Sequence, residues 1–166
     1  MKVDYTMLLA HINTRQEKHG PEEKVLALDL KFKKTVPLES LSSMVPEEFQ
    51  KAINGFYGKK GETEMNGLEL KPPIVGVEMD VKIKEDLPSV KTSIDFGQCK
   101  LDKISIILSP GKIVDLSFRI IVYPDRVQHG EIGALLGKEI LLKADGKQGE
   151  LDLSKKEEKK EDGEDE

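Results

Sequence analysis

Only one cysteine, Cys99, and no tryptophan occur among the 166 residues. A lone thiol cannot close an internal disulfide, so the fold must rest on its core, and such a chain suits a reducing compartment. Five Phe and three Tyr are the only aromatics, which leaves few faces on which nucleic-acid bases can stack. The three histidines, His11, His19 and His129, lack the i, i+4 spacing of a helical zinc pair, and no second cysteine exists to help them. No metal and no cofactor are expected. No stretch approaches the roughly 18 apolar residues that would span a bilayer. The opening MKVDYTMLLAHINTR holds a short apolar run after Asp4 and no small-residue cleavage site, so no export signal and a cytoplasmic location are expected.

Charge is what the chain has in quantity: 26 Lys and Arg against 31 Asp and Glu, a net −5. The excess is unevenly placed. Residues 155–166, KKEEKKEDGEDE, hold four Lys, seven acids and no apolar residue, a composition expected to stay disordered. Without them the body, 1–154, carries a net charge of −2 and reads as a single globular domain. Its composition therefore does not forbid a nucleic-acid role.

The body patterns mostly as strands. In 25–33, Leu26, Leu28, Leu30 and Phe32 share one face while Asp29, Lys31 and Lys33 share the other. In 75–84, Val75, Val77, Met79, Val81 and Ile83 oppose Glu78, Asp80, Lys82 and Lys84. Segments 103–108 and 113–123 flank Pro110-Gly111, a turn signal that predicts an antiparallel hairpin with Val114, Leu116, Phe118, Ile120 and Val122 facing the core. Shorter strands are expected at 92–96, 139–143 and 151–153, while Met7–Ile12 fits either a strand or a short helix. Pro46 followed by Glu47 and Glu48 starts one helix, with Phe49, Ile53 and Phe56 on its apolar side. Residues 128–136 form a second, stopped by Gly137. The expected class is mainly β or α+β: an antiparallel sheet of about seven strands, barrel- or sandwich-like, with two short helices. From Val75 onward the order of elements also fits a five-stranded OB-like barrel.

Catalytic signals are sparse. No G-x-S-x-G occurs, and Gly133-Ala-Leu-Leu-Gly137-Lys138-Glu139 fails as a phosphate loop in both glycine spacing and the residue after lysine. Asp80/Lys82 and Asp29/Lys31 place an acid and a lysine on the same side of a strand, as metal-dependent nucleases do. Strand periodicity explains both as a solvated face. Cys99 has no His or Asn close in sequence and reads as a small core residue. Nucleic-acid contact has more behind it. Lys31 and Lys33 share a strand face, and Lys59 and Lys60 sit in a loop beside Phe56 and Tyr57, the pairing of flexible cations and aromatics that single strands use.

LALDLKFKKTVPLESL, CKLDKISI, VDLSFRIIVYPD and GALLGKEILL together resemble small proteins encoded by tailed bacteriophages, over about residues 24–144. The shared features are structural. The resemblance implies a setting among DNA replication and recombination functions and assigns no catalytic residue. The resulting expectation is a non-enzymatic accessory binding protein contacting single-stranded DNA or a protein of that machinery. Lys31, Lys33, Phe56, Tyr57, Lys59 and Lys60 would contact nucleic acid, and the tail acids Glu161, Asp162, Glu164, Asp165 and Glu166 would meet a partner protein. The alternative is a structural or inhibitory protein acting through protein contact alone, and a metal-dependent nuclease comes third. Self-association through an exposed strand edge fits either of the first two.

Overall fold

The computed structural model describes residues 2–72, 77–85 and 93–146. Seven strands form: β1 (Lys2–Lys18), β2 (Lys24–Pro37), β3 (Glu69–Leu70), β4 (Val77–Glu85), β5 (Ser93–Ser109), β6 (Ile113–Val122) and β7 (Glu139–Gly146). A 3₁₀ segment, Leu38–Ser43, and helix α1 (Glu47–Asn54) follow β2, and helix α2 (Arg126–Gly133) follows β6. All neighbouring strands are antiparallel, in the order β3-β5-β4-β7-β1-β2-β6, and β6 also pairs with β5. That last pairing closes six strands into a barrel, with the two-residue β3 beside β5.

Alternation drives the closure. Leu28, Leu30 and Phe32 of β2 and Val114, Leu116, Phe118, Ile120 and Val122 of β6 are all buried inside. Phe32 lies directly opposite Phe118 in the β2–β6 register, their ring centroids 5.7 Å apart. Met79, Val81 and Ile83 of β4 and Ile140, Leu142 and Ala144 of β7 complete the wall-to-wall packing. Burying each large apolar side chain contributes about 1.5–3 kcal/mol. Tight closure needs strands that bend, and three bulges supply the bends. One lies in β1 between Leu9 and His11, one between β4 and β5 at Gly97 (φ 59°), and one in β5 between Asp102 and Ser105.

The barrel ends are covered. At one, the 3₁₀ segment and α1 bring Leu38, Leu41, Met44, Val45 and Ile53 into the core. Tyr57 donates its hydroxyl to the Ser109 and Ile113 carbonyls, both at 3.0 Å, tying this plug to the β5–β6 turn. At the other, α2 starts with a capping box between Asp125 and Gln128 and buries Ile132. Gln128 also donates to the Asp95 carbonyl of β5, at 2.8 Å.

Several expectations are revised. Residues 93–96 and 103–108 belong to one continuous strand, β5, whose two bulges hide its length, while Thr92 lies outside the described residues. Met7–Ile12 lies inside a 17-residue strand, disguised because the bulge after Leu9 reverses which residues face inward. The ring has six strands instead of the five of an OB barrel, and the β1–β2 hairpin stands between β7 and β6. Phe56 does not join Ile53 in the core and is 37% exposed. Val75, the 151–153 strand and the 155–166 tail lie outside the described residues.

Candidate functional site

The inward side chains of the barrel are apolar and buried, so the polar chemistry of the described residues gathers on its outer wall. Two adjoining depressions, of about 570 and 690 Å³, run across the outer faces of β2, β6 and β5 and share Lys31, Glu69, Ser105 and Ser117 in their lining. Lys71, Lys103 and Arg119 line the first, and Lys33 and Lys34 line the second.

Strand register explains the convergence. Lys31 of β2 faces Arg119 of β6, which faces Asp102 of β5; Lys33 faces Ser117, which faces Ser105. Without the β5 bulge, the residue after Asp102 would point inward and Ile104 outward. The extra residue returns Ile104 to the core and leaves Lys103 exposed in the left-handed region, at φ 54°. Its backbone N–H donates to Asp102 Oδ1 at 2.8 Å, which helps hold a conformation unfavourable for a residue with a Cβ.

Most acids of the wall are already engaged, exposed Glu139 of the second depression having no ion-pair partner among the described residues. Asp29 is the one buried charged side chain among the described residues, 6% exposed. Arg119 Nη1 donates to its Oδ2 at 3.1 Å, and Arg15 Nε lies 3.1 Å from its Oδ1 without hydrogen-bond alignment. Arg119 also donates to Asp102, and Arg15 pairs with Glu17. Tyr123 donates to Glu17 at 2.9 Å, and this bond, with His19 and Arg15 nearby, holds the Glu17 carboxyl below its ordinary range. Burial, then the Glu17 carboxylate, pushes the Tyr123 phenol up. In the groove itself Ser105 donates to Glu69 at 2.6 Å, and that bond, followed by Lys71 and Lys31, lowers the Glu69 carboxyl. Asp115 accepts from Thr35 at 2.5 Å. Among the described residues, no carboxylate reaches ion-pair distance of the Lys31, Lys33 or Lys103 ammonium. Lys34, 5.6 Å over the Tyr5 ring, likewise has no carboxylate at ion-pair distance among the described residues, so these four lysines of the groove are placed to attract an external anion.

The six sequence candidates fall into two groups. Lys31 and Lys33 line the groove. Phe56, Tyr57, Lys59 and Lys60 lie in the plug after α1, and none lines either depression. Tyr57 is 9% exposed with its hydroxyl bound twice, so its ring anchors a turn and offers no stacking face. Lys59, Lys60 and Phe56 are exposed there. Lys71, Lys103 and Arg119 are groove residues that periodicity did not single out, because two depend on the β5 bulge and the neighbouring β3. Asp29, read as solvated beside Lys31, is bound between two arginines. A signal was present: Ala27 and Ile121 are apolar residues on the outward register beside it, marking a covered stretch of wall.

Cys99 is buried within β5, and burial, followed by Asp80 and Asp95, pushes its thiol up to about 12. Lys82 pairs with Asp95 at 3.0 Å across β4 and β5. Among the described residues, no three His, Cys, Asp or Glu side chains gather into a cation site, and no helix is long and apolar enough to cross a membrane. Compared with family models, curated proteins and solved structures, the chain matches none.

Proposed function

We propose that the protein is a non-enzymatic accessory binding protein whose outer-wall groove holds the phosphate backbone of single-stranded DNA. The observation that carries this reading is the convergence of Lys31, Lys33, Lys34 and Lys103 on one groove, whose lining with Lys71 and Arg119 holds six cations against the four carboxylates of Glu69, Asp102, Asp115 and Glu139. Phe118 is the aromatic residue in the lining of the first depression, and it is 1% exposed. The contact is therefore to phosphates, salt-sensitive and tolerant of sequence. A setting in DNA replication or recombination is supported by the sequence resemblance to phage-encoded proteins, and a cytoplasmic one by the free thiol of Cys99. The acidic stretch 155–166, with Glu161, Asp162, Glu164, Asp165 and Glu166, is assigned to a partner protein of that machinery.

The test is fluorescence anisotropy of a labelled single-stranded oligonucleotide with the full chain and with a chain ending at Ser154. Both forms are expected to bind at low salt, the shortened one more tightly because it has lost a net −3 charge. No binding by either form at low salt defeats the reading. Incubation with Mg²⁺ is expected to leave the DNA intact, and cleavage that copurifies with the protein contradicts a non-enzymatic role. Contact with a protein alone is the second reading, favoured by a β1 edge that no other described strand pairs.

A further inference from the structure

β1 is flanked on both sides for only part of its length. β2 pairs with it from Leu8 to Lys18, whereas β7 pairs with it from Lys2 to Leu8. Past Leu9, which exchanges backbone bonds with Gly137 and Lys138, no described backbone meets the side of β1 turned away from β2. Among the described residues, the outer edge of β1 at 11–18 is therefore open. Sheets usually blunt such an edge with proline, a bulge or an inward charge. The β1 bulge lies before this stretch, no proline or glycine occurs in it, and its one inner-register charge, Lys18, sits at the last residue of the strand.

We propose that this edge pairs antiparallel with the same edge of a second copy, about a twofold axis at Thr14. The register follows from side-chain chemistry. Beyond the bulge, His11, Asn13, Arg15 and Glu17 lie on the outer face of the sheet, aligned with Lys31, Asp29, Ala27 and Val25 of β2. An antiparallel partner must keep inner and outer faces matched, so the pairing must centre on a residue and not between two. Centring on Arg15 sets two arginines against each other, and centring on Gln16, though it also sets Arg15 against Glu17, pairs only residues 14–18 because β1 ends at Lys18. Centring on Thr14 sets His11 opposite the second copy's Glu17 and Asn13 opposite its Arg15, with Ile12 opposite Gln16 and Thr14 opposite Thr14. Charge and hydrogen-bonding partners complement one another at every outer position, and Thr–Thr pairs are favourable across strands. The two hairpins then form one four-stranded ribbon, which brings both cationic grooves onto a continuous outer wall. The pairing itself does not depend on nucleic acid.

The test is sedimentation velocity of the full chain over a concentration series, together with cysteine cross-linking. Directly opposite Cα atoms in an antiparallel pair lie about 4.5–5.5 Å apart, within the roughly 4.4–6.8 Å a disulfide spans. Thr14→Cys is expected to cross-link two copies under mild oxidation at least about tenfold faster than Gln16→Cys, whose own copies lie four residues out of register. Asn13→Glu should tighten the dimer and Asn13→Lys weaken it, each by about threefold to tenfold, because the substituted side chain opposes Arg15 of the other copy. A monomer at every concentration overturns the proposal. So does a dimer in which Gln16→Cys cross-links as readily as Thr14→Cys. Either result leaves the groove reading standing, since DNA binding is measured separately.

Discussion

Asp29 shows how much a single side chain on the outer wall can organise. Its carboxylate neutralises Arg15 and Arg119, which in turn hold Glu17 and Asp102. Asp29→Asn keeps the shape but leaves two guanidinium groups without their shared counter-charge. Both arginines are partly exposed, so the expected loss is about 1–3 kcal/mol, below that of a fully buried pair, read as a lower urea midpoint at unchanged slope. The Glu17–Tyr123 bond makes a pH prediction with two arms. A carboxyl held below its ordinary 4.5 stabilises the fold above that pH, and the contribution disappears as pH falls through its folded value. A phenol raised above 10.0 stabilises below that pH and stops doing so as pH rises further. Thermal melts should therefore show stability lost both below about pH 4.5 and above about pH 10, with Tyr123→Phe flattening the alkaline limb. Cys99, with its thiol at about 12 and buried, should resist a thiol reagent at pH 8 in the native state and react promptly in urea.

At the scale of elements, the bulge at Lys103 couples local strain to the groove. Replacing Lys103 by glycine relieves a left-handed backbone at the expense of unfolded-chain entropy, so stability should stay level or rise by up to about 1 kcal/mol. Oligonucleotide affinity should fall with the same change, because an exposed cation is gone. A loss of stability with binding intact contradicts that assignment. Tyr57→Phe should do the reverse, costing about 1 kcal/mol through two lost hydroxyl contacts and leaving DNA affinity unchanged. The elements divide by how much of this was legible. β2, β4, β6 and β7 could be read from alternation because they keep one register, and the Pro110-Gly111 turn joins β5 to β6 as its chemistry requires. β1 and β5 could not be read whole, since each bulge shifts the alternation by one and makes one long strand look like two fragments. Half of the groove went unseen for the same reason: Lys103 is exposed only by its bulge, and Lys71 belongs there only because β3 pairs with β5.

At the scale of the whole molecule, closure of six strands around a filled core leaves function to the outer wall and to edges the ring does not cover. The wall ties Asp29, Asp102 and Glu69 to cations and, among the described residues, leaves Lys31, Lys33, Lys34 and Lys103 without a carboxylate partner, while the β1 edge offers a route to a second copy. Charge counting over the whole chain obscures this, because three of the five net negative charges belong to residues 155–166. The most direct test is the salt dependence of single-stranded DNA affinity in three proteins: wild type, Lys31→Ala/Lys103→Ala, and Lys59→Ala/Lys60→Ala. Each phosphate contact contributes about 0.7 to the slope of log affinity against log salt. The groove pair is predicted to reduce that slope by about 1.4 and weaken binding, while the loop pair leaves both unchanged. A slope that falls with the loop lysines and not with Lys31 and Lys103 would contradict the account.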